Sequence, residues 1–192
     1  MTGVILAGGL GRRMNPDGGA RNKGLLPFHG RPLASHVIER LAPQVAGLLI
    51  NANRDLAAYR GFGWPVVEDA IPGFAGPLAG LHAGLLAAQT PYVVTAPCDA
   101  PLLPADLVMR LDTARRSAGV RVAVARVQGR LQPAFALLDR GLADALAAHL
   151  RDGGRRAGQW LCSLPHATAD FDDPQAFVNL NTPQQLVENA SS

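Results

Sequence analysis

Gly3-Val4-Ile5-Leu6-Ala7-Gly8-Gly9-Leu10-Gly11-Arg12-Arg13-Met14 opens the chain, and after a short polar loop comes Lys23-Gly24-Leu25-Leu26-Pro27. The apolar run over residues 4–7 predicts a buried strand, stopped by glycines at 8, 9 and 11. Without a Cβ, glycine lets backbone N–H groups come close to a ligand. Successive N–H groups in such a turn make a concavity that attracts anions. Arg12 and Arg13 add two guanidinium forks and Lys23 an ammonium, groups that suit phosphate oxygens. Together they predict a nucleoside triphosphate site on the loop after the first strand. An ordinary Gly-rich turn with solvated basic residues accounts for the glycines alone, and less well for the three cations beside them. Two familiar phosphate loops do not fit. The dinucleotide fingerprint needs glycine where Met14 stands, and the P-loop fails because Lys23 lies between Asn22 and Gly24.

Composition sets the frame for that loop. With 192 residues, 48% hydrophobic and 17% charged, the chain is expected to form a single domain, residues 1–192, with a substantial core. Aromatics make up only 5%, so Leu, Ala and Val must do most of the packing. A net charge of +3 suits an anionic small ligand, and no basic block points to nucleic acid. Cys98 and Cys162 form no C-x-x-C pair or zinc spacing, and both read as core residues. Trp64 and Trp160 likewise read as packing residues. The five histidines make no metal cluster. No leader pattern and no apolar run of about 20 residues is present, so no membrane contact is expected and a reducing cytoplasm is the expected compartment.

Beyond the opening loop, strand and helix signals alternate. Residues 32–41 place Leu33, Val37, Ile38 and Leu41 on one helical face, and Pro43 stops the helix. Strands are expected over 47–52, 64–69 and 92–96, with a short helix over 56–59. Pro77 suits the first position of a helix whose Gly76, Gly80 and Gly84 recur on one face. Each glycine costs such a helix about 1 kcal/mol relative to Ala, so close approach of a strand or ligand is the expected compensation. A helix over 104–114, a hairpin of strands over 121–127 and 133–138 turning at Gln128-Gly129-Arg130, and a helix over 142–150 follow. Short apolar pieces over 160–178 have no clear order, and Thr182, Pro183 and Gln185 cap a last helix. The alternation argues an α/β fold with a mostly parallel sheet and a small β-hairpin insertion. Ligands bind such sheets beyond the carboxyl ends of the strands, so Gly8, Gly9, Asn51, Asp69 and Asp99 should gather along one edge.

Asp99, within Pro97-Cys98-Asp99-Ala100-Pro101, is the candidate Mg²⁺ ligand, since Mg²⁺ takes one or two carboxylates plus phosphates and water. A turn-stabilising or capping role would explain Asp99 taken alone.

The motifs as a set resemble those of a known family. Leu6-Ala7-Gly8-Gly9 with Arg12-Arg13-Met14, Lys23-Gly24-Leu25, Asn51-Ala52-Asn53-Arg54, Asp69, Gly76-Pro77-Leu78-Ala79-Gly80, Pro97-Cys98-Asp99-Ala100-Pro101 and Asn179-Leu180-Asn181-Thr182-Pro183 occur in order over nearly the whole chain. The chain is similar to the molybdenum cofactor guanylyltransferases, nucleotidyltransferases with a Rossmann-like three-layer domain. The resemblance implies transfer of GMP from GTP to the terminal phosphate of molybdopterin, with or without its molybdenum, and release of pyrophosphate. It implies that Leu6, Ala7, Gly8 and Gly9 hold the nucleotide by their backbone. Arg12, Arg13 and Lys23 then bind and stabilise its phosphates, Asn51 and Asp69 contact the nucleoside, and Asp99 binds Mg²⁺ and GTP. Asn179 and Asn181 would face the pterin, with Arg155 or Arg156 as weaker candidates. Upstream cofactor-synthesis proteins and acceptor molybdoenzymes or their chaperones are implied as further partners. A cytidylyltransferase for the same cofactor and a sugar-phosphate nucleotidyltransferase are alternatives of the same class. A non-catalytic nucleotide-binding adaptor is the alternative of another class. The base preference is likewise implied by the resemblance: Leu6-Ala7-Gly8-Gly9 with Gly76-Pro77-Leu78-Ala79-Gly80 looks like the GTP user, and a methyl at Gly8 crowding a purine would be its steric rationale. One departure stands out: Asn22 precedes Lys23 where the family has Asp, and the loop before it is longer.

Overall fold

The computed structural model describes residues 1–8, 22–71 and 76–180. In chain order its strands are β1 (Thr2–Leu6), β2 (Pro27–Phe28), β3 (Arg31–Pro32), β4 (Gly47–Asn51), β5 (Val66–Val67), β6 (Tyr92–Pro97), β7 (Val122–Val127), β8 (Arg130–Asp139) and β9 (His166–Phe171). Its helices are α1 (Leu33–Leu41), α2 (Leu56–Arg60), α3 (Pro77–Ala87), α4 (Leu107–Ala118), α5 (Ala143–Arg151) and α6 (Ala157–Ser163). Seven strands form one sheet in the order β5-β4-β1-β6-β8-β7-β9. β1 pairs parallel with β4 and β6, β4 with β5, and β7 with β9, whereas β8 runs antiparallel to both its neighbours. The mostly parallel α/β sheet follows the expectation. A separate two-stranded ribbon joins β2 and β3.

Strand alternation divides the core in two. Ile5, Ile50, Val94 and Ala96 face α1, α2 and α4, where Val37, Leu41, Tyr59, Leu107 and Leu111 are buried. Val4 and Val93 face α3, α5 and α6, where Leu78, Leu81, Leu85, Leu146, Leu150 and Trp160 are buried. At about 1.5–3 kcal/mol for each large apolar side chain removed from water, these layers are the main favourable term. The small residues of α3 let it lie against the sheet. A Cβ built on Gly84 would come within 2.7 Å of Val4 Cγ2, and one on Gly80 would collide with the Asn51 carboxamide. The compensation for these helical glycines is therefore contact with strands. Gly76 is not on that face; it is the N-cap, and Pro77 takes the first helical position.

Several boundaries differ from expectation. The strand expected over 64–69 shrinks to Val66–Val67, because Pro65 has no N–H for the ladder and Asp69 is drawn off by two asparagines. α4 starts at Leu107 and ends at Ala118, not over 104–114. Asp106 has φ −111° and ψ 12°, outside the helix, while Gly119 at φ 65° provides the left-handed stop. The expected hairpin forms around Gln128 and Gly129, both at positive φ, and its strands join the main sheet. The unordered 160–178 region becomes α6, β9 and a 3-10 turn, Gln175–Phe177. Trp160 is buried and Trp64 half-buried, as packing residues. Cys98 is buried, but Cys162 is exposed, contrary to its reading as core. Trp160 and Leu161 fill the buried face of α6, and the next position turns outward. The caps at Thr182, Pro183 and Gln185 lie outside the described residues. Among the described residues no helix is long and apolar enough to cross a membrane.

Candidate active site

The order β5-β4-β1-β6 contains a switch point. From β1 the chain moves outward to β4 and β5, then returns through α3 to β6 on the other side of β1. Ligands of open α/β sheets bind at such a point, beyond the carboxyl ends of the strands. The Ala7 N–H donates to Asn51 O at 2.8 Å and the Cys98 N–H to Leu6 O at 3.1 Å. These bonds hold the ends of β1, β4 and β6 level, so Ala7 and Gly8 follow β1 between Asn51 and Asp99.

On the β4 side, two asparagines clamp one carboxylate. Asn51 Nδ2 donates to Asp69 Oδ1 at 2.9 Å and to Val67 O at 3.3 Å. Asn53 Nδ2 donates to Asp69 Oδ2 at 2.8 Å, and the Asp69 N–H donates to Asn53 Oδ1 at 2.9 Å. Asn51 is 2% exposed, and its two amide hydrogens are both engaged, so the clamp is rigid. A Cβ on Gly8 would lie 2.9 Å from Asn53 Nδ2 and 3.0 Å from Asn51 Oδ1. The first thing a methyl at Gly8 meets is therefore this clamp.

On the β6 side, Lys23 Nζ lies 3.5 Å from Asp99 Oδ2. Lys23 belongs to a 3-10 turn, Lys23–Leu25, closed by the Leu26 N–H on Lys23 O. Burial raises the pKa of Asp99, and Lys23 partly opposes that rise. Burial also pushes the neighbouring Cys98 thiol to about 12, with the Asp99 charge adding to the effect. Cys98 is thus an inert packing residue. The Leu180 N–H donates to Asp99 O at 2.8 Å, which ties the segment carrying Asn179 to the same edge.

Among the described residues no group of three His, Cys, Asp or Glu side chains surrounds a metal position. Asp99 still fits Mg²⁺, as a single buried carboxylate beside the Lys23 ammonium, since Mg²⁺ takes one or two carboxylates and leaves its other positions to phosphates and water.

The structure thus brings together Leu6, Ala7, Gly8, Lys23, Asn51, Asp69, Asp99 and Asn179. Gly9, Arg12, Arg13 and Asn181 lie outside the described residues. Arg155 and Arg156 part company. Arg155 Nη1 donates to Leu150 O at 3.0 Å and Gly154 O at 2.7 Å, closing the end of α5. Arg156 is the N-cap residue of α6. Asn53, the second half of the clamp, had no site role in the sequence. For Asn53 the signal was its place two residues after Asn51, on the same side of the extended chain. A cleft of about 360 Å³ opens at the opposite, amino end of β1 and β4, and its lining, which includes Thr2, Leu48, Trp64 and Thr90, holds no ionisable side chain.

Residues 3–166 match the model of the MobA-like NTP transferase domain. The chain is 50% identical to the molybdenum cofactor guanylyltransferase of Ralstonia nicotianae, over 97% of this chain and 94% of that protein. It is also 50% identical to the protein of the same name from Cupriavidus taiwanensis, with the same coverage. Its fold is similar to that of molybdopterin-guanine dinucleotide biosynthesis protein A from Archaeoglobus fulgidus, with a TM-score of 0.80 at 23% identity, over 100% of this chain and 97% of that one.

Proposed function

The chain belongs to the MobA-like NTP transferase family, and on that premise we propose that it transfers GMP from GTP to the terminal phosphate of molybdopterin, releasing pyrophosphate. The observation that carries the reading is the Lys23–Asp99 pair at 3.5 Å, set on the same sheet edge as the Asn51–Asp69 clamp. One group handles phosphate charge and the other a nucleoside, with the end of β1 between them.

The roles follow from the chemistry of each side chain. Lys23 binds the leaving phosphates and neutralises charge as the bond to the α-phosphorus breaks. The clamp presents Asn51 and Asp69 to the nucleoside in one fixed orientation. Asp99 holds Mg²⁺, which when bound supplies positive charge to the phosphate oxygens. The acceptor phosphate is already an anion, so no strong general base is needed. Asn179 lies on the acceptor side with the backbone of Leu180 fixed to Asp99. The reading extends to a cytoplasmic protein between those that make molybdopterin and the molybdoenzymes that receive the product.

The test is pyrophosphate release with GTP, Mg²⁺ and molybdopterin. Wild type is expected to release it only when all three are present. Asp99→Ala is expected to stay folded and lose turnover by about 10²-fold or more. Nucleotide binding without pyrophosphate release in wild type would favour an adaptor and overturn the proposal.

A further inference from the structure

Two neighbours of Lys23 in the chain, Asn22 and Gly24, meet the same atom. Tyr59 Oη donates a hydrogen bond to Asn22 Oδ1 at 2.5 Å. A Cβ on Gly24 would lie 2.5 Å from that oxygen and 3.1 Å from both Cβ and Sγ of Cys98. The Lys23–Leu25 turn is therefore seated on the phenol, and only a residue without a side chain lets it sit so close. The phenol itself cannot drift. Tyr59 comes from α2, is 0% exposed, and packs into the same core as Ala7 and Cys98.

The direction of the Tyr59–Asn22 bond is also fixed. Asn22 Nδ2 donates to Asp55 Oδ2 at 3.2 Å. A carboxylate only accepts, so the amide oxygen must face Tyr59 and the phenol must donate. Burial drives the Tyr59 pKa well above the ordinary phenol range, so the proton stays in place. This chain also accounts for the amide at position 22. An aspartate there would set a second carboxylate against Asp55, where the asparagine offers an N–H.

We propose that Tyr59 is a positioning residue for Lys23: its hydroxyl, bonded to Asn22 on one side and covered by Gly24 on the other, fixes the point from which the ammonium reaches the nucleotide phosphates. The proposal rests on the reading of Lys23 as a phosphate ligand. Asp99, two residues past the end of β6, approaches Lys23 at the same sheet edge, so the ammonium is held between a turn anchored by Tyr59 and this carboxylate. Loss of the hydroxyl leaves the ring packing intact and removes its bonds to Asn22 and to the Cys98 side chain, which frees the turn.

The experiment is a double-mutant cycle read as the Kd of GTP for wild type, Tyr59→Phe, Lys23→Ala and the double variant. Tyr59→Phe is expected to weaken GTP binding by about tenfold, the scale of one lost hydrogen bond. Lys23→Ala is expected to weaken it further, and the double variant to bind no worse than Lys23→Ala. A general loosening of the core would instead add its full effect to that of Lys23→Ala. Asn22→Ala removes the same bond from a half-buried position and is expected to give the same pattern, which covers a Tyr59→Phe protein too unstable to assay. Wild-type affinity in Tyr59→Phe, or full additivity, overturns the proposal while leaving Lys23 a phosphate ligand. Unchanged GTP affinity in Lys23→Ala overturns the reading of Lys23, and the proposal with it.

Discussion

Asp99→Asn is expected to abolish turnover while leaving the fold as stable as wild type or more so. The Asp99 side chain is 10% exposed and has Lys23 Nζ at 3.5 Å. At an effective dielectric of about 20, their attraction is on the order of 4–5 kcal/mol. Taking an ion out of water costs several kcal/mol even after relaxation, so the two effects are of similar size. The raised pKa of Asp99, with burial as its largest cause, decides between them: desolvation wins. Lys23 keeps 22% of its side chain exposed, so water can solvate it once the carboxylate is gone. The expected gain is about 1 kcal/mol, or roughly 2–4 °C in Tm for a chain of this size. The sign with pH follows from linkage. A folded-state pKa above the ordinary 3.8 makes the contribution of Asp99 full below 3.8 and lost as pH rises through the folded value. The advantage of the variant should therefore vanish in acid and grow toward neutrality. Paired thermal unfolding of wild type and variant, without nucleotide or Mg²⁺, at acidic and neutral pH, measures it. A variant less stable than wild type at neutral pH, or a gap that does not change with pH, would refute the reasoning.

Three further outcomes are expected. Gly84→Ala should destabilise the fold by about 1–2 kcal/mol, because crowding against Val4 outweighs the gain in helix propensity. Val4→Ala should then cost less in that background than alone, as urea unfolding would show. In the native protein a thiol reagent near pH 8 should label Cys162 and spare Cys98, whose thiol is buried and pushed to about 12; mass spectrometry reads the site. Arg155→Ala should cost about 1 kcal/mol of stability by freeing the Leu150 carbonyl at the end of α5 and the Gly154 carbonyl just beyond it, and leave the KM for the pterin acceptor unchanged.

How far the sequence could be read depended on the range of the interactions involved. β1, β4 and β6 announce themselves as apolar runs ending in glycine or polar residues, and strand ends of a parallel sheet must share an edge, so Asn51 and Asp99 were legible together. Asp69 was legible for another reason, as a carboxylate after an apolar run, although its strand is two residues long. Its placement depends on the side chains of Asn51 and Asn53 more than on the sheet. The start of α4 was misread because Pro104 and Asp106 both look like helix openers, and the turn they form delays the helix to Leu107. Its end was signalled by Gly119, four residues beyond where the apolar pattern fades at residue 115. Tyr59 was invisible as a site residue, since its partner Asn22 lies 37 positions away and no pattern links them. Cys162 was misread for want of a helix in which to place it.

The central claim is that this sheet edge transfers a guanine nucleotide. The measurement that tests it most directly offers wild-type protein molybdopterin, Mg²⁺ and an equimolar mixture of GTP and CTP, and identifies the dinucleotide product by mass spectrometry. The account predicts the guanine dinucleotide as the main product, with one pyrophosphate for each molecule formed. A product that is chiefly the cytosine dinucleotide, or bound nucleotide with no dinucleotide at all, would contradict it.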